Sequence, residues 1–223
     1  MKNTINQLFP YFKSDCIEAG LDEAGRGCLA GPVVAAAVIL PSDYWHSSLN
    51  DSKKLTSKQR EELRIEIERE AIEYKVSFVC NREIDSINIL NASFLAMNHA
   101  IRDLTIIPEH SIIDGNRFRP QPFNTIPYTC VIKGDGKYFS IAAASVLAKT
   151  YRDDYMRDLH DSYPQYNWNE NKGYATESHR KNIKKHGISP YHRKSFTLFE
   201  TQIDLFESGI ETDGNRAVVT HIK

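Results

Sequence analysis

The sequence predicts an α/β protein built on an open sheet, and three observations carry that prediction. Five short apolar runs alternate with helix-like segments. The second run, Pro32-Val33-Val34-Ala35-Ala36-Ala37-Val38-Ile39-Leu40, is apolar throughout, as a strand covered on both faces is. Acids recur where apolar runs stop, at Asp22-Glu23, Asp114 and Asp135. Strands followed by helices form such sheets, and ligands gather at their strand ends.

Taken in order, residues 16–22 and 32–40 read as strands joined by a glycine-rich turn, with Pro41-Ser42 ending the second. Asp51-Ser52-Lys53-Lys54-Leu55 is a polar connector. Thr56-Ser57-Lys58-Gln59 has the pattern of a capping box, and Leu63, Ile67 and Ala71 then share one helix face. Residues 76–80 are a third strand. A helix follows from about Asn91, its expected cap, to Leu104. His110-Ser111-Ile112-Ile113 is a buried strand stopping at Asp114-Gly115-Asn116. After a proline-rich loop, residues 128–132 form the fifth strand, which ends at Lys133-Gly134-Asp135-Gly136-Lys137. A helix from Ser140 to about His160 carries the small face Ala142-Ala143-Ala144-Ser145, which implies close packing on the sheet. Beyond Ser162 the chain turns polar, aromatic and basic, with a helix cap at Thr176 and a stop at Gly187. The expected organisation is one domain over 1–223: a core over about 15–160, a helical substrate-facing segment over about 161–206 and a tail over 207–223.

The 223 residues suffice for a substantial core. With 41% hydrophobic and 26% charged residues the chain has an ordinary globular composition. A formal net charge of −1 excludes an overall basic nucleic-acid binder, so any basic footprint must be local. Cys16, Cys28, Cys80 and Cys130 are scattered in apolar contexts without a Cys-x-x-Cys pair. They read as reduced core thiols of a cytoplasmic protein and argue against zinc. The N-terminus lacks a signal-peptide pattern. No uncharged apolar run reaches the roughly 18–20 residues of a membrane span.

The chemistry lies at the strand ends. Carboxylates without arginine partners repel one another, and bound divalent cations remove that cost. Two metals about 4 Å apart can activate a water and stabilise a leaving oxygen. Alone, Asp114-Gly115 or Asp135-Gly136 most simply marks a turn. The joint pattern favours a metal site, because every acid follows an apolar strand of one sheet. Gly25-Arg26-Gly27 offers backbone amides beside the acids, suited to reading a 2′-hydroxyl. Residues 172–194 hold Lys172, Arg180, Lys181, Lys184, Lys185, Arg193 and Lys194 against one acid, Glu177, as a phosphate track does. Tyr163, Tyr166, Trp168, Tyr174 and Tyr191 interleave with it and can stack on sugars or bases, or pack beneath a solvated helix. Lys149 and Arg152 either face phosphate or lie on an exposed helix face. His99, His110, His160, His179, His186 and His192 show no metal-ligand spacing and read as ordinary surface or core residues.

These residues resemble the bacterial ribonuclease HII family, the type 2 ribonucleases H. The matching pieces are Gly20 to Val33, Asp51 to Leu55, Ile112 to Asn116, Lys133-Gly134-Asp135, Ser140 to Lys149, Lys172 to Thr176 and His192 to Phe196. The resemblance implies a ribonuclease H-like fold, with a five-stranded mixed sheet flanked by helices and a C-terminal helical segment. It implies Asp22, Glu23, Asp114 and Asp135 as catalytic acids holding two divalent ions, Mg²⁺ or Mn²⁺. Gly25, Arg26, Gly27 and Tyr174 would recognise the RNA–DNA junction. Lys53, Lys149, Lys172, Arg193 and Ser195 complete the expected substrate contacts. Gly136 and Asn171 depart from the common serine and histidine, without removing a proposed ligand.

The expected activity is endonucleolytic cleavage of RNA in RNA/DNA hybrids, and of single ribonucleotides in duplex DNA, on the 5′ side of the ribonucleotide. The expected state is a monomer. The alternatives are a ribonuclease HIII-type or junction-cutting nuclease of the same fold, and a non-catalytic hybrid-binding module. The tail from Glu207 shows no clear motif for a sliding-clamp contact.

Overall fold

The computed structural model describes residues 8–49 and 55–198. Five strands, β1 (Glu18–Ala24), β2 (Val33–Ile39), β3 (Glu73–Val79), β4 (His110–Asp114) and β5 (Tyr128–Val131), form one sheet in the order β3-β2-β1-β4-β5. β1 runs antiparallel to β2, and β2 to β3; β1–β4 and β4–β5 are parallel pairs. The sheet is therefore the expected mixed one.

Among the described residues the α-helices are six: α1 (Ser57–Glu70), α2 (Asn81–Ile87), α3 (Ile89–Arg102), α4 (Phe139–Ser162), α5 (Trp168–Asn171) and α6 (Glu177–His186). β2 is buried at every position, which explains its lack of alternation. Its Val33, Ala35, Ala37 and Ile39 pack with Ala92, Ala96, Met97 and Ile101 of α3. Its Ala36 and Val38 pack on the other face with Leu63 and Ile67 of α1 and with α4. The alanines of α4 allow this helix to lie close to the sheet. The contact is tightest at Gly20, where an added Cβ would sit 2.3 Å from the Ser140 carbonyl carbon. A third cluster joins Leu29, Ala30 and Met156 to Tyr166, Trp168 and Ile183, seating the C-terminal segment on α4.

The Thr56 capping box forms as expected: Gln59 N donates to Thr56 Oγ1 at 3.2 Å and Thr56 N to Gln59 Oε1 at 2.9 Å. Thr176 caps α6 and Gly187 ends it. The α3 cap differs from expectation. Asn88, with φ 64°, accepts from Asn91 N at 3.1 Å, so the helix starts one turn-half earlier and Asn91 lies inside it. With ψ 163° this residue lies outside the αL basin, in a backbone region rare for any residue but glycine. β3 begins at Glu73 rather than Val76, because Glu73 pairs with Ile39 and its carboxylate accepts from the Thr105 and Ile106 amides. The short α2 and α5 carry too few apolar repeats to be read from sequence. Cys80, expected in the core, is exposed at the start of α2. Among the described residues no helix is long and apolar enough to cross a membrane.

Candidate active site

Parallel pairing brings the acids to one end of the sheet. Leu21 of β1 faces Ile113 of β4, so Asp22 and Asp114 follow on neighbouring strands pointing the same way. Asp114 is opposite Val131 of β5, and the chain then turns through Gly134–Gly136, carrying Asp135. Gly134 N donates to Asp114 Oδ1 at 2.7 Å, which ties this turn to the third acid.

Asp22 and Asp135 are buried. Asp22 Oδ1 accepts from Glu23 N at 2.7 Å, and Glu23 Oε1 lies 3.1 Å from Arg26 Nη1. Lys149 Nζ stands 3.9 Å from Asp22 Oδ2 and donates to Ser145 Oγ at 2.5 Å; Ser145 in turn hydrogen-bonds Asp22. Burial pushes the Asp22 carboxyl up to about 8; Lys149 opposes this, while Glu23 and Asp114 add to it. Burial likewise raises Glu23, against the pull of Arg26. Asp22, Glu23 and Asp114 thus share one electrostatic neighbourhood. Asp135 occupies the adjoining turn. Among the described residues, no group of three or more His, Cys, Asp or Glu side chains is gathered closely enough to hold a metal ion. The donor set is nonetheless the right kind for a hard divalent cation: carboxylate oxygens at strand ends, with a buried acid whose charge is poorly compensated.

The Gly25-Arg26-Gly27 turn follows β1 directly. Gly25 has φ +93°, and an added Cβ would sit 2.1 Å from Arg152 Nε; around Gly27 the space is open. The segment after the turn is a hub. Leu29 N donates to Gly173 O at 2.8 Å, Gly31 N to Tyr191 O at 3.0 Å and Arg193 N to Leu29 O at 2.8 Å. Cys28 bridges to Tyr174, and Ala30 to His192. Tyr174 is 45% exposed beside this turn, its ring 5.7 Å from Arg152 Cζ.

Several expected contacts fall elsewhere. Arg193 is fully buried: its guanidinium donates to Gly31 O, Arg26 O and Pro32 O, each at 3.0 Å. Arg152 is buried as well and donates to Pro32 O, Lys172 O and Ala30 O at 3.0, 2.8 and 3.0 Å. Both hold the glycine turn from behind instead of meeting phosphate, because six hydrogen bonds to five backbone carbonyls engage their guanidinium groups. Lys172 Nζ donates to Asn169 O. Ser195 Oγ donates to Asp85 Oδ1 at 2.6 Å. Lys53 lies outside the described residues. Of the five aromatics, Tyr166 and Trp168 are core residues, Tyr163 and Tyr191 pack around Trp168, and Tyr174 alone keeps an open face.

His179 and His192 are fully buried and organised. Trp168 Nε1 donates to His179 Nε2 at 3.0 Å, His192 Nε2 lies 3.2 Å from the same atom, and His179 Nδ1 meets Tyr174 O at 2.8 Å. Burial, with His179 alongside, pushes His192 down to about 4, so the pair is neutral near pH 7. The sequence showed no metal spacing for these histidines; a hydrogen-bond relay to Tyr174 leaves no such spacing to read.

The acids open onto a hollow of about 250 Å³ whose lining includes Glu23, Arg26, Asp114, Leu90, Phe94 and Arg117. The sequence reading gave α3 only as a helix from about Asn91 to Leu104 and missed this wall. The signal available was Asn116-Arg117, polar and basic directly after Asp114-Gly115.

The Ribonuclease HII family pattern matches residues 19–199. A ribonuclease HII of Parabacteroides distasonis is 62% identical over 198 residues, covering 89% of this chain and 98% of that protein. Among solved structures, the ribonuclease H2 of Pyrococcus horikoshii superposes with TM-score 0.66 at 27% identity, covering 81% of this chain and 94% of that one. The PCNA:RNase HII complex of Archaeoglobus fulgidus matches with TM-score 0.68 at 26% identity, covering 85% and 100%. These matches agree with the mixed sheet. The family consists of divalent-metal-dependent endonucleases with ribonuclease H activity on RNA/DNA hybrids, and this chain belongs to the ribonuclease HII family.

Proposed function

We propose that the chain cleaves on the 5′ side of a ribonucleotide, both in long hybrids and at single ribonucleotides embedded in duplex DNA. The observation that carries this is the adjacency of Asp22, Glu23 and Asp114 to a glycine turn whose far side is fastened to Tyr174. Asp22, Glu23, Asp114 and Asp135 would hold two divalent ions, Mg²⁺ or Mn²⁺. Such ions supply an activated water and stabilise charge on the departing 3′-oxygen. A bond forms between water oxygen and phosphorus and the P–O3′ bond breaks, leaving 3′-hydroxyl and 5′-phosphate ends. Lys149 limits the negative charge at Asp22. The amides of residues 25–27 face the 2′-hydroxyl, and the open ring face of Tyr174 takes the following deoxyribose. The 161–206 segment presents that ring. All four acids come from one chain, so a monomer suffices, and four unpaired thiols suit the cytoplasm.

The test compares a duplex with one ribonucleotide, a long hybrid and an all-DNA duplex, each with Mg²⁺ or Mn²⁺. The first two are cut and the third is not. Tyr174→Ala lowers cleavage at the single ribonucleotide about ten-fold more than cleavage of the long hybrid, since an aromatic stack is worth about 1–3 kcal/mol. An equal loss on both substrates would remove Tyr174 from junction recognition.

A partner is proposed on different grounds. Residues 202–206, Gln-Ile-Asp-Leu-Phe, lie outside the described residues and place three apolar side chains among polar neighbours. Short peptides of this kind anchor in pockets on larger partners. With a structural neighbour solved as a PCNA complex, we assign this pentapeptide to a sliding clamp. Leu205→Ala with Phe206→Ala should abolish co-elution with the clamp and leave hybrid cleavage intact. Unchanged co-elution would dismiss it.

A further inference from the structure

We propose that the cleft between α3 and the β4–β5 connection is a second arm of the nucleic-acid path, gripping phosphodiester backbone through Arg117 and Arg119. The inference rests on the nuclease reading, and it adds a contact surface formed by residues outside the 172–194 segment.

The hollow at the acids adjoins a second one of about 450 Å³, since both are lined by Leu90, Phe94, Asn116 and Arg117. The second also takes in Asn91, Arg119 and Tyr128. The cleft is therefore polarised. Glu23 and Asp114 stand at one end, Arg117 lines both hollows and Arg119 stands at the far end. Arg26, at the acidic end, is engaged by Glu23. The Arg117 and Arg119 side chains are exposed and make no hydrogen bond or ion pair among the described residues. Guanidinium groups on a concave surface leading away from a phosphodiester-cleaving centre match successive phosphates of a bound strand.

The turn that carries them is held in place. Asn98 of α3, fully buried, donates to Arg119 O at 2.9 Å and accepts from Gln121 N and Asn124 Nδ2, each at 3.0 Å. Behind it, the Phe94 and Phe118 rings stand 6.0 Å apart and Phe118 and Tyr128 5.1 Å, forming an aromatic wall. Tyr128 keeps 40% of its surface open, so the wall ends in a face on which a sugar or base can rest. Each of these groups is positioned by buried contacts, while the cationic heads are left for a ligand.

The test measures binding of a fluorescent RNA/DNA hybrid by the full chain, free of divalent metal, across a salt series. Arg117→Gln with Arg119→Gln should raise Kd about ten-fold and reduce the slope of log Kd against log salt by about 1–2, one per phosphate contact. Tyr128→Ala, which removes no charge, should raise Kd without changing the slope. Hybrids trimmed from one end and then the other identify the arm: the variant's defect disappears with one trimmed duplex and persists with the other. An unchanged Kd and slope, or a defect of equal size on both trimmed duplexes, would overturn the proposal. A wild-type chain that binds the hybrid but never cuts it would instead overturn the nuclease reading, and the cleft would still stand or fall on Kd. A melting temperature equal to wild type excludes misfolding of the variants.

Discussion

Asp22→Asn abolishes hydrolysis of an RNA/DNA hybrid, by at least about 10³-fold in kcat, while the hybrid still binds. Loss of one well-placed electrostatic group at a reacting centre costs about 10²–10³-fold. Here the lost group is also a proposed metal ligand. Asparagine has the same shape and keeps an oxygen to accept from Glu23 N, so the backbone turn survives. Stability should not fall. Folding raises the Asp22 carboxyl from 3.8 to about 8. Between these values the folded state binds the proton that the unfolded state has released, so this group erodes stability as pH rises through the window. The neutral amide removes that erosion, and in metal-free buffer near pH 8 the variant melts at or above the wild-type temperature. Activity lost with stability retained marks a residue kept for chemistry. Near-wild-type cleavage by this variant would refute the ligand assignment, and a large drop in melting temperature would make Asp22 structural.

Arg193→Ala produces the opposite pattern, a loss of stability first. Its guanidinium is enclosed and saturated by three backbone carbonyls. Pro32 O retains a donor in Arg152 Nε, whereas Arg26 O and Gly31 O lose the donor that this guanidinium supplies. A buried acceptor left without a donor costs about 1–3 kcal/mol, and the cavity adds to it. The sum, about 3–5 kcal/mol, lowers the melting temperature by roughly 10 °C for a chain of this size. Arg193→Lys keeps a positive charge but cannot span three carbonyls, so it recovers little. Were Arg193 a phosphate contact, alanine would spare the melting temperature and reduce the salt dependence of binding; calorimetry and the salt series separate the two.

This arginine also shows where sequence reading stops. Arg193 and Lys194 look alike as members of a basic run, yet one is sealed beneath the turn after β1 and the other is exposed. The same holds for the aromatics: Tyr174 differs from Tyr166 only in which way the chain presents it. Asn88, rather than Asn91, caps α3 because a positive-φ backbone there brings its side chain to the Asn91 amide. Composition carries no record of such choices, and those of Arg193 and Tyr174 depend on neighbours more than a hundred residues away.

By itself the sequence determined the five strands, the placement of acids at their ends, the small face of α4 and the family motifs. All of these are local: hydrophobic runs, caps and glycine turns act through residues a few positions apart. Tertiary structure decided which cations are free and which are consumed, that two buried arginines brace the glycine turn, and that α3 walls a cleft beside the acids. Those outcomes follow from long-range desolvation and hydrogen bonding, where the same guanidinium either meets solvent or must find carbonyls, according to what packs over it.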